Sequence, residues 1–263
     1  MLRRVLVPLL FITAVFTFLA CQTAPYTGRK QLILLSEDQE MQLGLQAWQE
    51  VVSGSRPSSN QAWVAMVRAC GERIAAVADA PDYQWEFTVI ADPQVNAFAL
   101  PGGKVAFYEG ILPICGDETG VAVVMGHEIA HAIARHGNER ISRGMVAQGI
   151  AEIGAAALGG EDPQTRQMVY QGFGLGLQYM EVLPFSRSQE SEADHIGIIL
   201  MAKAGYDPRR APEFWERMRD LTGGNATPEF LSTHPLAETR IRQLREWLPE
   251  ALEFYRAASS GQR

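Results

Sequence analysis

Histidine is scarce in this sequence, five residues in 263, and cysteine scarcer still, with three. Positive charge is never concentrated: no cluster of Lys and Arg follows Arg3-Arg4, and the formal net charge is −7. That balance excludes nucleic acid and an anionic membrane surface as partners. No internal repeat is visible, so no tandem helical-repeat domain is expected. No glycine pattern of the nucleophile-elbow type is present, and no histidine outside the set described below is placed to act as a base. A serine or cysteine nucleophile is therefore excluded. With 47% hydrophobic residues the chain is globular, and its length fits one domain of ordinary core size after an N-terminal segment.

The N-terminal apolar run, Val5 to Ala20, is short for a membrane span and, behind Arg3-Arg4, fits a signal peptide over 1–20. Its end, Phe18-Leu19-Ala20-Cys21, resembles the lipobox of bacterial lipoproteins, in which the cysteine becomes lipidated and N-terminal; Phe18 departs from the usual leucine. Gln22 rather than Asp follows, which favours passage to the outer membrane. The expectation is a lipid anchor on Cys21 and a location on the periplasmic side of the cell envelope, at the outer membrane. An uncleaved signal anchor is the alternative, and either places the domain outside the cytoplasm. Cys70 and Cys115 could pair as a disulfide in such a compartment.

The chemistry is concentrated in His127-Glu128-Ile129-Ala130-His131. Two imidazoles four apart on a helix stand roughly 40° apart around its axis and one turn along it, so both can grip one metal ion. Glu128, about 100° further round, reaches a water on that metal without ligating it. Asp117 and Thr119 offer caps, the following residues are largely apolar, and Arg135-His136-Gly137 reads as the helix end. A buried imidazole pair beside a carboxylate is costly unless something satisfies it.

Catalytic zinc takes three protein ligands and leaves a position to water. His136, five residues past His131, lies roughly 140° round the helix and is a poor third ligand. Glu190 is better placed: residues 190, 194 and 197 share one helical face. Asp194 could accept the spare N–H of a liganding histidine and fix its tautomer. Gly197 would let this helix press against the first. Glu192, about 200° from Glu190, is expected to be a solvated charge.

Together with Ser186-Arg187 and the run Glu190 to Asp194, the His127–His131 motif resembles the HtpX-like zinc metallopeptidases, the gluzincin family that includes the type 1 CAAX prenyl proteases. Small outer-membrane lipoprotein members are nearest in length and layout. The match extends to Asn96 through Gly103 and to Ser232-Thr233-His234-Pro235, covering about Ser36 to Leu248. The resemblance implies one zinc per chain at His127, His131 and Glu190, with Glu128 catalytic and Asp194 in support. It also places His234 beside the zinc, as an oxyanion donor or as a latch on the open position. The mechanism expected is metal-assisted hydrolysis of peptide bonds in unfolded or misassembled envelope proteins, with Glu128 as general base. The competing expectation is a zinc-holding lipoprotein that acts as a chaperone or assembly factor with weak or latched peptidase activity, in contact with envelope assembly machinery.

The fold class expected is α+β: a mainly helical zincin-like domain over 36–250 with one small β-sheet, a polar tether over 21–35 and a polar tail over 251–263. Ser36 to Gln39 reads as a capping box opening a helix through Val52, and Asn60 caps the next. Trp85 to Ile90 alternates like a strand, and Ala97–Leu100 with Lys104–Tyr108 reads as a hairpin around Pro101-Gly102-Gly103. By resemblance that hairpin borders the cleft, where a free edge could pair with substrate backbone; an ordinary core hairpin is the alternative. Ser142 to Met180 reads as a Gly/Ala-rich helical excursion with a turn at Gly159 to Pro163, favouring close packing over a mobile cover. The last helices are expected near Ala211–Leu221 and Pro235–Leu248, with His234 at a helix start.

Overall fold

The computed structural model describes residues 21–157, 184–221, 228–235 and 238–261. The expected signal peptide and the turn at Gly159 to Pro163 lie outside the described residues. Three strands, β3 (Glu86–Ile90), β4 (Ala97–Leu100) and β5 (Lys104–Tyr108), form a sheet in the order β3-β5-β4. β3 runs parallel to β5, and β4 pairs with it antiparallel, Ala97 opposite Phe107. The β4–β5 turn uses Gly102 and Gly103 at φ 86° and 89°, a region closed to most side chains. Among the described residues β4 has no strand on its outer side.

Helices surround this sheet. α1 (Glu37–Gly54) opens on the expected Ser36/Gln39 capping box, and α2 (Gln61–Ala75) on Asn60. After a short α3 (Leu112–Cys115), α4 (Glu118–Ile133) starts where the Asp117 side chain accepts from the Gly120 N–H at 2.8 Å. Every α4 residue from Gly120 onward is buried, so this helix is the spine of the core rather than an amphipathic surface element. α6 (Arg187–Lys203), opened by a Ser186/Gln189 capping box, packs along it. Gly126 and Gly197 face one another at the crossing: a Cβ on Gly197 would stand 2.9 Å from the Gly126 carbonyl carbon and from the His127 nitrogen. The close approach expected of Gly197 is real, and it sets the spacing of everything carried by the two helices. α5 (His136–Ala157), α7 (Arg210–Leu221), α8 (Glu229–Thr233) and α9 (Glu238–Gly261) complete the domain, α9 lying against α6. The architecture is mainly helical α+β, as expected. No described helix is long and apolar enough to cross a membrane.

Three segments depart from the sequence reading. Residues 21–35 do not hang free as a tether: β1 (Cys21–Thr23) pairs antiparallel with β2 (Lys30–Leu32), and Arg29 ties the hairpin to the helices through Glu139 and Glu192. The tail from 251 continues α9 as helix to Gly261, with Ala251 buried. α4 ends just before Arg135-His136-Gly137, as expected, but the chain turns a corner there instead of entering a loop. Arg135 adopts φ 57°, and α5 starts immediately at His136. A left-handed non-glycine residue costs on the order of 1–3 kcal/mol. Ion pairing of Arg135 with buried Glu40 at 2.7 Å and its bond to the Leu35 carbonyl at 3.2 Å offset that strain.

Candidate active site

Two capped helices deliver the site. α4 carries His127, Glu128 and His131 deep into the core, and all three are at most 3% exposed. The capping box at Ser186 places Glu190 in the first turn of α6, where the helix dipole favours a negative charge. The Gly126–Gly197 approach then brings the two faces together. His131 Nε2 lies 3.1 Å from His127 Nε2 and 3.4 Å from Glu190 Oε1. His234 completes the group from the C-terminal end of α8, its Nδ1 3.1 Å from Glu190 Oε1 and 3.3 Å from His127 Nε2. Its position was expected to be a helix start; α8 ends there instead, because the Pro235 that follows cannot donate to continue it.

One donor atom from each of His127, His131, Glu190 and His234 lies within 4.8 Å of the others, all four residues buried. Four ligands around zinc at bonds of about 2.0–2.1 Å stand roughly 3.3 Å apart, so these separations match a tetrahedral shell. Chemistry agrees with geometry. Imidazole nitrogens brought within 3.1 and 3.3 Å of one another, beside a carboxylate oxygen, form a set whose lone pairs one shared cation can take. The donor set of three imidazoles and a carboxylate therefore fits zinc.

Around this group lies a layer of buried charge. His127 Nδ1 is 3.0 Å from Asp194 Oδ1. Asp194 in turn receives a fork from Arg240, Nε at 2.7 Å and a terminal nitrogen at 2.8 Å, while the other terminal nitrogen reaches Glu190 at 2.6 Å. Burial works to raise both carboxyls, but Arg240 and the neighbouring histidines outweigh it and hold both below the ordinary range, Glu190 well below. The Arg240 guanidinium also lies 3.9 Å over the Trp215 ring. Glu128 has no such partner at close range. Burial lifts its carboxyl above the ordinary value, with His234 and His127 pulling it part of the way back. His234 Nε2 stands 3.6 Å from Glu128 Oε1.

Glu192, expected in solvent, is 5% exposed. It points away from the metal cluster, as its position on the helix requires, but into a second polar layer. His136 Nε2 is 2.9 Å away, Arg29 Nε donates at 2.6 Å, and Thr27 Oγ1 donates to the other oxygen. Burial would raise its carboxyl, yet His136, Thr27 and Arg29 together bring it down to about 2. Cys70 and Cys115, the candidate disulfide, are buried free thiols. Arg240 is the main residue the sequence reading passed over. A signal existed: 240, 244, 247 and 251 share one face of the last helix, and the apolar residues there leave Arg240 as a charge inside a core stripe.

A cleft of about 550 Å³ opens onto the cluster. Its lining includes Glu128 and His131, Phe98 and Leu100 of β4, and Ala47 and Val51 of α1.

The sequence profile of Peptidase family M48 matches residues 59–248. A mitochondrial metalloendopeptidase OMA1 of Schizosaccharomyces pombe is 41% identical over 243 residues, 90% of this chain and 69% of the relative. The human mitochondrial metalloendopeptidase OMA1 is 32% identical over 258 residues, 94% of this chain and 49% of the relative. The β-barrel assembly-enhancing protease of Escherichia coli strain K12 is 30% identical over 231 residues, 86% and 47%. These similarities correct the expected location at the periplasmic face of an outer membrane, because the mitochondrial proteins match over nine-tenths of the chain. The physical reason is that a basic-then-apolar leader such as Arg3 to Ala20 describes affinity for a membrane and not which membrane. The chain belongs to peptidase family M48 and is a metalloendopeptidase.

Proposed function

We propose that the protein is a zinc-dependent endopeptidase acting on extended segments of unfolded or misassembled proteins, with His127, His131 and Glu190 as zinc ligands and Glu128 as general base. The observation that carries this is the convergence of the three donor atoms from α4 and α6, with the buried Glu128 carboxylate, one oxygen of which makes no hydrogen bond, lining the cleft beside them. Bound there, zinc supplies Lewis acidity and a lowered pKa for water.

The chain's own residues do the rest. Asp194 Oδ1, 3.0 Å from His127 Nδ1, favours the proton on that nitrogen and so keeps the Nε2 lone pair turned inward. Arg240 holds both Asp194 and Glu190 in place and ionised. Glu128, raised by burial toward neutrality, takes the proton of the attacking water and passes it to the leaving amine. The outer edge of β4 offers backbone groups to an extended peptide, and the apolar walls of the cleft give side-chain preference. His234 supplies a fourth donor where an open site keeps three, which favours the latch over the oxyanion donor. The name of the Escherichia coli relative, a β-barrel assembly-enhancing protease, supports a role beside protein assembly machinery.

The experiment is cleavage of unfolded casein by the zinc-loaded protein and two variants. Glu128→Gln is expected to keep zinc and lose at least about 10²–10⁴-fold in turnover, the span of general-base catalysis. His234→Ala is expected to raise turnover. Wild-type rates from Glu128→Gln would overturn the mechanism, and a loss on His234→Ala would assign that residue to the oxyanion instead.

A further inference from the structure

His131 and His136 meet through like atoms, Nδ1 to Nδ1 at 2.9 Å. One ring must donate and the other accept, so the direction is settled by their far nitrogens. His136 Nε2 lies 2.9 Å from Glu192 Oε2, and an ionised carboxylate only accepts. His136 therefore carries its proton on Nε2, and its bare Nδ1 accepts from His131. That leaves the His131 proton on Nδ1 and its Nε2 lone pair facing the cluster. The Arg135 corner makes this possible: on a continuous helix the two rings would diverge, but the break at φ 57° turns His136 back onto His131.

Glu192 is itself fixed from outside the helical core. Arg29 Nε and Thr27 Oγ1 bind its two oxygens. The terminal nitrogens of Arg29 grip Glu139 at 2.9 and 2.7 Å, and Gln189 donates to the same carboxylate at 2.9 Å. Thr27 and Arg29 belong to the β1–β2 hairpin, which precedes the segment matched by the family profile.

We propose that Thr27, Arg29, Glu192 and His136 form a positioning relay that sets the tautomer of His131, which makes the N-terminal hairpin a working part of the metal site. The inference rests on the metallopeptidase reading, with His131 as a ligand. His127 is oriented by a carboxylate directly, through Asp194; His131 is oriented by one through an intervening imidazole. Without the Glu192 acceptor, His136 is free to hold its proton on Nδ1. His131 Nδ1 must then accept, its own proton moves to Nε2, and the lone pair aimed at the metal is lost.

The test is zinc affinity by chelator competition, together with the ¹⁵N spectrum of the histidine rings in the zinc-free protein. Glu192→Met is expected to weaken zinc about 10–100-fold, as loss of such an outer partner does. The His131 signals should shift from the Nδ1–H form toward a mixture. Glu192→Gln, whose amide oxygen still accepts from His136, should keep most of the affinity. Arg29→Met, at a partly exposed position, should shift affinity and ring signals in the same direction and covers the case in which Glu192→Met does not fold. A merely structural relay would lower the melting temperature and leave both readouts unmoved. Unchanged affinity and unchanged His131 tautomer in a folded Glu192→Met or Arg29→Met variant overturn the relay alone. Zinc retained by His131→Ala would overturn the relay and the metallopeptidase reading together.

Discussion

Gly197→Ala is the substitution that couples core packing to the site most sharply. The added Cβ would stand 2.9 Å from the Gly126 carbonyl carbon and 2.9 Å from the His127 nitrogen. Both are backbone atoms in the middle of a helix, so no side-chain rotation relieves the contact. Carbon atoms sit comfortably at about 3.5–4.0 Å, so α4 and α6 must part by roughly 0.6 Å or more. Overpacking of this kind costs about 1–3 kcal/mol, which for a domain of this size lowers the melting temperature by roughly 2–12 °C. The same displacement moves Glu190 away from His127 and His131. Misplacement of catalytic groups by about 1 Å can cost on the order of 10²-fold in rate, so casein cleavage is expected to fall by tens of fold. Thermal melting with and without zinc, and turnover on casein, measure the two effects on one sample. Gly261→Ala is the control, since nothing lies within 4 Å of a Cβ there and it does not line the cleft. Gly197→Ala with wild-type melting, zinc affinity and turnover would refute the claim that this glycine contact sets the metal geometry.

Arg240→Met removes a cation shared by two buried carboxylates and is expected to cost about 3–5 kcal/mol, because Asp194 and Glu190 are left as uncompensated charges; calorimetry of the zinc-free protein checks it. The hairpin anchor should show a defined pH window. Folding holds Glu192 at about 2 against an ordinary 4.5, and holds Glu139 below its ordinary value. Depressed carboxyls bind fewer protons folded than unfolded, so their stabilisation is full above about pH 4.5 and is lost as pH falls toward about 2. The melting-temperature difference between wild type and Arg29→Met should therefore be constant from pH 7 to about 5 and shrink below it. A constant difference down to pH 2.5 would contradict that assignment.

Much of the site was legible because its determinants are local. The His127–His131 spacing, the shared face of residues 190, 194 and 197, and the role of Gly197 all follow from helix geometry within a few residues. The β4–β5 hairpin was equally plain from two short runs around the Pro101-Gly102-Gly103 turn. The outer layer was not legible, because each of its pairings spans a long stretch of chain. A helical projection correctly turned Glu192 away from the metal, but it treated that direction as solvent, whereas the β1–β2 hairpin and His136 cover it. The projection also assumed one helix through His136. Arg135-His136-Gly137 announced the end of α4 but not the tight corner into α5, which is held by Glu40 some ninety residues earlier. Arg240 stood in plain view within an apolar stripe, but its partners lie on another helix.

The most direct test is metal content of the purified protein measured beside His127→Ala and Glu190→Ala, each confirmed folded by circular dichroism. The account predicts one zinc per chain in the wild type and none, or a small fraction, in either variant. Stoichiometric zinc in Glu190→Ala would contradict the central claim that one ion is held jointly by α4 and α6.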